Sequence, residues 1–407
     1  MNRSILKLNQ ISFSFIDYLL WGMAFLWLII DSITGFFISY GVDMPLSQLF
    51  KLLLLALVIV RLYKYKTVFL SFYLLLLYLA WYFLHLSLIN VDFVSPILLF
   101  SKFLSLLFLY AYFRNCIFEF PSKTILYARN VMVIAWLVVA FNVTVGLMGY
   151  GIPSYGEDAE EMGVKGFFFA GNELGGIMAV LVPFIVYLVL MNLSGIKAIL
   201  AYIVIILVGV LIGTKSSILV TLLSVIIVPI LYMSLAKRLK ILFGLAIITF
   251  VTFPFLANMF EEFSIGALDR WIYFYDTGGI SRLIFSGRDD FWEFKKELFL
   301  NSGIMSQLFG IGAEGKFVER DHLDFLLIFG YAGLIFIVSF FLYLLVTAIR
   351  NRHNNSLVKV IIFSDGLVLG IGYMAGHVWF SAMASLYIAL LNAFAFVHHD
   401  EMLFSKK

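Results

Sequence analysis

The sequence predicts an all-α polytopic integral membrane protein with about twelve transmembrane helices and one large extracytoplasmic loop. Three observations carry this expectation. Of 407 residues, 63% are hydrophobic and 13% charged, and mean hydropathy is +1.02. A soluble chain has about a quarter of its residues charged, so this apolar excess exceeds what one soluble core hides. Runs long enough to cross a bilayer core of ~30 Å recur along the chain, near 16–38, 45–62, 67–89, 93–113, 125–149, 172–192, 196–213, 217–235, 239–258, 322–349, 358–379 and 382–398. Finally, Lys and Arg are distributed unevenly between alternate connections.

With the N-terminus placed in the cytoplasm, 17 of the 28 Lys and Arg residues fall in short cytoplasmic loops or tails, among them Arg61, Lys64, Lys66, Lys237, Arg238 and Lys240. Nine fall outside, seven of them in one long loop where charge hardly influences orientation. Both termini are therefore expected in the cytoplasm. The polar start leads into the first apolar run without a small-residue cleavage site, which reads as an uncleaved first span. Net charge is only +3, and no basic stripe suggests a nucleic-acid partner. The single cysteine, Cys116, excludes an intrachain disulfide and a Cys-based metal site. Histidine spacing offers no metal site either, and no cofactor is expected.

The chain reads as one membrane domain, 1–407, with two long outer connections. Residues 149–171 carry an acidic run and a lone Lys165, and 259–321 form the large loop. In the latter, "DDFWEFKKELFL" places Phe291, Phe294 and Leu298 on one face of a helix suited to the membrane interface. Intramembrane charge is expensive, at ~2.5 kcal/mol or more, so its location is informative. Asn172, Glu173, Lys215, Arg282, Arg288, Glu319, Asp321, His322, Asp324 and His377 all map to the outer side. Cations there suit a phosphate or pyrophosphate, and carboxylates suit a base that removes a hydroxyl proton. A helix start also favours acidic residues through its dipole. Lys102 and Asp365, both inside spans, are expected to pair with each other. Gly171, Gly175 and Gly176 suit close helix packing.

Several segments together resemble bacterial polysaccharide polymerases of the Wzy type, within the O-antigen polymerase and ligase family. "VERDHLDFLLIFGYAG" is similar to the family's acidic stretch ahead of a Gly-x-x-Gly step. "FSGRDDFW" looks like its Ser-Gly-Arg segment, and "GTKSS" its basic turn after a span. "KGFFFAGNELGG" and "AGHVWF" resemble an Asn-containing span start and a late Gly-His. Related ligases often carry a histidine eleven positions before the glycine that corresponds to Gly330. Glu319 holds that slot here, a departure that favours a polymerase.

The resemblance implies a GT-C-like membrane fold in a bacterial cytoplasmic membrane. It implies metal-free glycosyl transfer from a glycan on polyprenyl pyrophosphate to a sugar hydroxyl of a lipid-linked repeat unit, alongside a flippase and a chain-length regulator. It assigns Arg288 and Lys215 to the pyrophosphate, with Arg282 behind them. Glu319 is the base, or Asp321 if Glu319 orients an arginine. His377 and Asn172 bind substrate, and His322 and Asp324 stand with them; His322 is close enough to replace the ligase histidine. A ligase or, further off, a lipid-linked oligosaccharide flippase are the alternatives. The topology is checked by fusions: alkaline phosphatase joined after Lys165 or Arg288 is expected to be active, and after Lys197 or Lys237 inactive. The reverse pattern would invert the orientation.

Overall fold

The computed structural model describes residues 13–92, 94–155, 162–169, 171–232, 239, 243–244, 272–312 and 317–397. The predicted span at 239–258, the acidic run 157–161 and both chain ends lie essentially outside these residues. Helices α1 (Phe15–Ser39), α2 (Leu46–Leu62), α3 (Lys66–Leu88), α4 (Val94–Glu119) and α5 (Pro121–Leu147) are followed by a two-stranded antiparallel hairpin, β1 (Pro153–Tyr155) and β2 (Met162–Val164). Then come α6 (Gly171–Asn192), α7 (Ile196–Leu211) and α8 (Lys215–Tyr232). After α9, which is helical over 272–285, α10 (Arg288–Leu300), α11 (Ile304–Phe309), α12 (Asp321–Arg350), α13 (Val358–Met374) and α14 (Ala382–Ala393) complete the order. Among the described residues, eleven of the predicted runs are helical, and six helices are long and apolar enough to cross a membrane. Apart from the β1–β2 hairpin the described secondary structure is helical, as in a polytopic membrane protein.

Helix α6 is the packing hub, touching α5, α7, α8, α13 and α14. Small residues allow the close approaches. A Cβ on Gly175 would lie 2.4 Å from Ser216 Oγ, and one on Gly176 2.9 Å from a Val378 methyl. Gly171 is roomier, its nearest atom 3.8 Å away. The hairpin docks on the bundle: Ser154 Oγ donates to Ile212 O at 2.6 Å, and Asn142 Oδ1 accepts from Phe167 N at 3.1 Å and Ser32 Oγ at 2.8 Å. In α10, Phe291, Phe294 and Leu298 are exposed while Phe299 is buried. Phe299 joins Val318, Leu323, Leu326 and Leu327 in a small core that fastens this part of the large loop to α12.

Helix α12 is broken. Gly330 has φ 67° and ψ −169°, so 321–329 form a buried half-helix and the rest continues as a second one. The carbonyls released by the break find donors. Leu327 O accepts from Ile311 N at 2.8 Å, Ile328 O from Tyr82 Oη at 2.8 Å, and Phe329 O from Tyr78 Oη at 3.4 Å. A Cβ at Gly330 would stand 2.3 Å from Leu308 O in a backbone region that side chains rarely adopt. At one end of the bundle an ionic cluster ties α1, α2 and α4 together. Arg61 bridges Asp17 at 2.7 Å and Glu119 at 2.9 Å, and Lys64 and Tyr65 also reach Glu119. By the predicted topology this is the cytoplasmic end. Replacing Gly330 by Ala is expected to cost ~2 kcal/mol or more, combining strain and collision. A thermal midpoint unchanged from wild type in detergent would contradict the break.

Candidate functional site

The other end of the bundle gathers most of the residues singled out in the sequence. Its organising feature is the meeting of two turns: the stretch 317–320 that enters α12 and the stretch 375–381 between α13 and α14. Gly376, at φ 66°, packs so closely on Glu319 that a Cβ would lie 2.4 Å from its carbonyl carbon. Glu319 and His377 themselves have φ 61° and 60°. Two non-glycine residues held left-handed side by side are strained positions of the kind that cluster at functional sites.

Buried carboxylates hold these turns. Asp321, fully buried, accepts from Val378 N at 2.9 Å and Trp379 N at 2.8 Å through Oδ2. Asp324 Oδ1 accepts from Val318 N at 2.7 Å. Asp321 thus ties the α13–α14 turn to the start of α12, and Asp324 ties the incoming stretch 317–320 to the same helix. Glu319 differs: its side chain is 45% exposed. It meets Arg288, whose Nη2 and Nε lie 3.1 and 3.2 Å from the same oxygen, Oε2. No described residue hydrogen-bonds its other oxygen.

Arg288 is placed by the turn before it. Ser286 and Gly287 are both left-handed, at φ 57° and 80°, and Gly287 caps α10 so that Arg288 is its first residue. Lys215, at the start of α8, fixes that turn by donating to Leu283 O at 2.7 Å and Ser286 Oγ at 3.0 Å. Arg282 pairs with Asp290 at 3.0 Å, on the flank of the same turn. Arg320, between the two turns, is stacked on Phe285 and Tyr373 with its guanidinium carbon 3.9 and 5.0 Å from the ring centres. His322 lies parallel to Tyr373 at 4.4 Å. Lys215, Arg282, Arg288, Glu319, Asp321, His322, Asp324 and His377 therefore share one region. Asn172 is half-buried in the first turn of α6, beside Glu173.

Glu173 is the residue the sequence reading located without assigning a role. Its Oε2 accepts from Ser381 Oγ at 2.7 Å, and its Oε1 lies 3.7 Å from Lys102 Nζ. The expected Lys102–Asp365 pair does not form, because Asp365 is bonded to Asn392 Nδ2 at 2.8 Å. Depth explains this. Lys102 lies about two turns into α4 from its outer end, whereas Asp365 lies about two turns into α13 from the opposite end. Adjoining Glu173 is a cavity of about 680 Å³ lined by parts of α1, α2, α4 and the 162–169 segment.

His377 lies between the two acidic groups. Burial pushes its imidazole below the usual histidine range, and the Glu173 and Glu319 carboxylates offset this only in part. The folded protein therefore resists a proton that the unfolded chain accepts near pH ~6.5. Stability is expected to fall as pH drops through that value and to level off once the folded imidazole titrates. His377→Asn, which keeps a residue tolerant of positive φ, is expected to flatten the fall of the melting temperature between pH ~7.5 and ~5.5. A steeper fall in the variant would reverse the assigned direction.

No curated protein and no solved structure matches the chain. Residues 271–402 match the family model described as O-antigen ligase like membrane protein. That stretch holds Arg282, Arg288, Glu319, Asp321, His322, Asp324 and His377, while Lys215 and Asn172 reach the same end of the bundle from outside it. Over this stretch, about a third of the chain, the protein is similar to the O-antigen ligase like membrane proteins.

Proposed function

We propose that the protein is a glycosyltransferase that polymerises polyprenyl-pyrophosphate-linked oligosaccharide repeat units into a cell-surface polysaccharide, at the outer face of the cytoplasmic membrane. The observation that carries this reading is the Arg288–Glu319 pair: a charged guanidinium and a half-exposed carboxylate, 3.1 Å apart at the meeting of two strained turns.

The acceptor hydroxyl oxygen forms a bond to the anomeric carbon of the donor glycan. The bond from that carbon to the pyrophosphate oxygen breaks, and polyprenyl pyrophosphate leaves with the electron pair. The hydroxyl proton goes to Glu319, whose second oxygen faces no described partner. Among the three carboxylates at the start of α12, Glu319 is the exposed one, whereas Asp321 and Asp324 are buried and committed to backbone N–H groups. They suit positioning better than proton transfer. Arg288 offsets the charge developing on the leaving pyrophosphate. Lys215 acts by fixing the turn that aims Arg288, and Arg282 supports the same turn. Pyrophosphate is already a good leaving group, so most of the rate enhancement comes from orientation and charge stabilisation.

A second reading is transfer of a finished glycan to another acceptor, as a ligase does. The family match fits either reading, and Glu319 in the histidine slot favours the polymerase. A deletion strain carrying wild type, Arg288→Ala or Glu319→Gln separates them. Both variants are expected at normal protein levels, with the polysaccharide ladder reduced ~100-fold or more, as for loss of a charge-stabilising or base group, and with single repeat units on the normal acceptor. Full-length polymer stranded on polyprenyl pyrophosphate would identify a ligase. An undiminished ladder from Arg288→Ala would sink its role.

A further inference from the structure

We infer that the cavity between α1, α2 and α4 is a second carbohydrate site, which receives the sugar portion of the acceptor. This rests on the glycosyl-transfer reading above and adds where the second substrate sits. The cavity, of about 680 Å³, is within the ~300–1,000 Å³ usual for small-ligand sites. The two lysines it contains are matched by acids, Lys51 by Asp31 at 2.6 Å and Lys102 by Glu173 at 3.7 Å. Between them lie hydroxyl and amide groups, including Ser47, Gln48, Ser101 and Ser105. Paired charges and neutral hydroxyl and amide groups suit a hydroxyl-rich, uncharged ligand better than a pyrophosphate, which calls for excess cations.

Aromatic faces complete it. Phe168, Phe169 and Phe317 line the cavity, and Phe169 is 64% exposed, offering the apolar surface on which sugar rings pack. Leu52 and Leu98, both more than half exposed, stand at the rim between α2 and α4, where the lipid attached to an acceptor would pass. The cavity also borders the proposed reaction centre through two contacts. Phe317 meets the His377 ring edge-on at 5.6 Å. Glu173 reaches Ser381 at 2.7 Å, in the turn that packs on Glu319. A sugar here would present a hydroxyl toward Glu319 while its donor partner occupies the Arg288 side.

The test uses thiol labelling of the full chain in lipid nanodiscs. The native Cys116 is buried, at 1% exposure, so a new thiol dominates the signal. Ser101→Cys and, separately, Ser95→Cys, the latter at an exposed position, report on the cavity. Asn192→Cys, at the exposed far end of α6, is the control. The probe is the repeat-unit oligosaccharide released by mild acid from the lipid-linked pool of the deletion strain. Titrated to ~10 times its Kd, it is expected to slow maleimide labelling of a cavity thiol ~10-fold. Inorganic pyrophosphate should leave that rate unchanged, and the control should not respond to either. No protection by the oligosaccharide at either cavity position overturns the assignment. Protection by pyrophosphate overturns it too, in favour of an anion site. Labelling is read without turnover, so an intact ladder from Arg288→Ala would remove the catalytic reading and leave this result standing.

Discussion

Inside a bilayer a backbone carbonyl without a donor costs several kcal/mol, and the break at Gly330 creates three such groups in one place. The structure depends on how they are met. Two tyrosines of α3 and one backbone amide after α11 take them, so the break locks α3, the end of the large loop and α12 together. The half-helix 321–329 then stands as a separate piece, buried among its neighbours, and can begin at a depth and angle that a continuous α12 would not give. Asp321 and Asp324, at its start, are thereby brought to the backbone amides of the adjoining turns.

The charges of this end are arranged in a hierarchy that follows from burial. The deepest carboxylates bond to backbone N–H groups and shape the turns. The intermediate basic groups, Lys215 and Arg320, bond to carbonyls or lie on aromatic rings. Glu319, the acid at the entry to α12 that water reaches best, pairs with the largely buried Arg288 and is left able to exchange partners. Desolvation makes a deep charge useful only as scaffolding, because breaking its bonds is costly, and it leaves chemistry to the groups that water still reaches.

Much of this was legible in the sequence. Helix positions follow from apolar run length, and a shared end for Lys215, Arg288, Glu319 and His377 follows from alternating topology and the Lys and Arg count. The amphipathic face of α10 could be read from the spacing of Phe291, Phe294 and Leu298. Pairings were less accessible. Lys102 and Asp365 look alike as charges inside spans, and only their opposite depths tell them apart. The break in α12 was hidden because the run 325–349 is almost wholly apolar. Its acceptable partners, Tyr78 and Tyr82, lie some 250 residues away. Nor does any local pattern announce that Glu319 and His377 adopt left-handed backbone, since that conformation is imposed by Gly376 packing against Glu319 across the fold.

The ionic cluster of Asp17, Arg61 and Glu119 has a mechanical consequence. It clasps α1, α2 and α4 at one end, and the same three helices form the walls of the cavity at the other. At the cavity end α1 and α2 stay bound to each other through Lys51 and Asp31 at 2.6 Å, so they act as one leg of a pair of tongs and α4 as the other. Relative movement of the two legs is smallest at the clasp and grows with distance from it, so any breathing widens the mouth while the base stays shut.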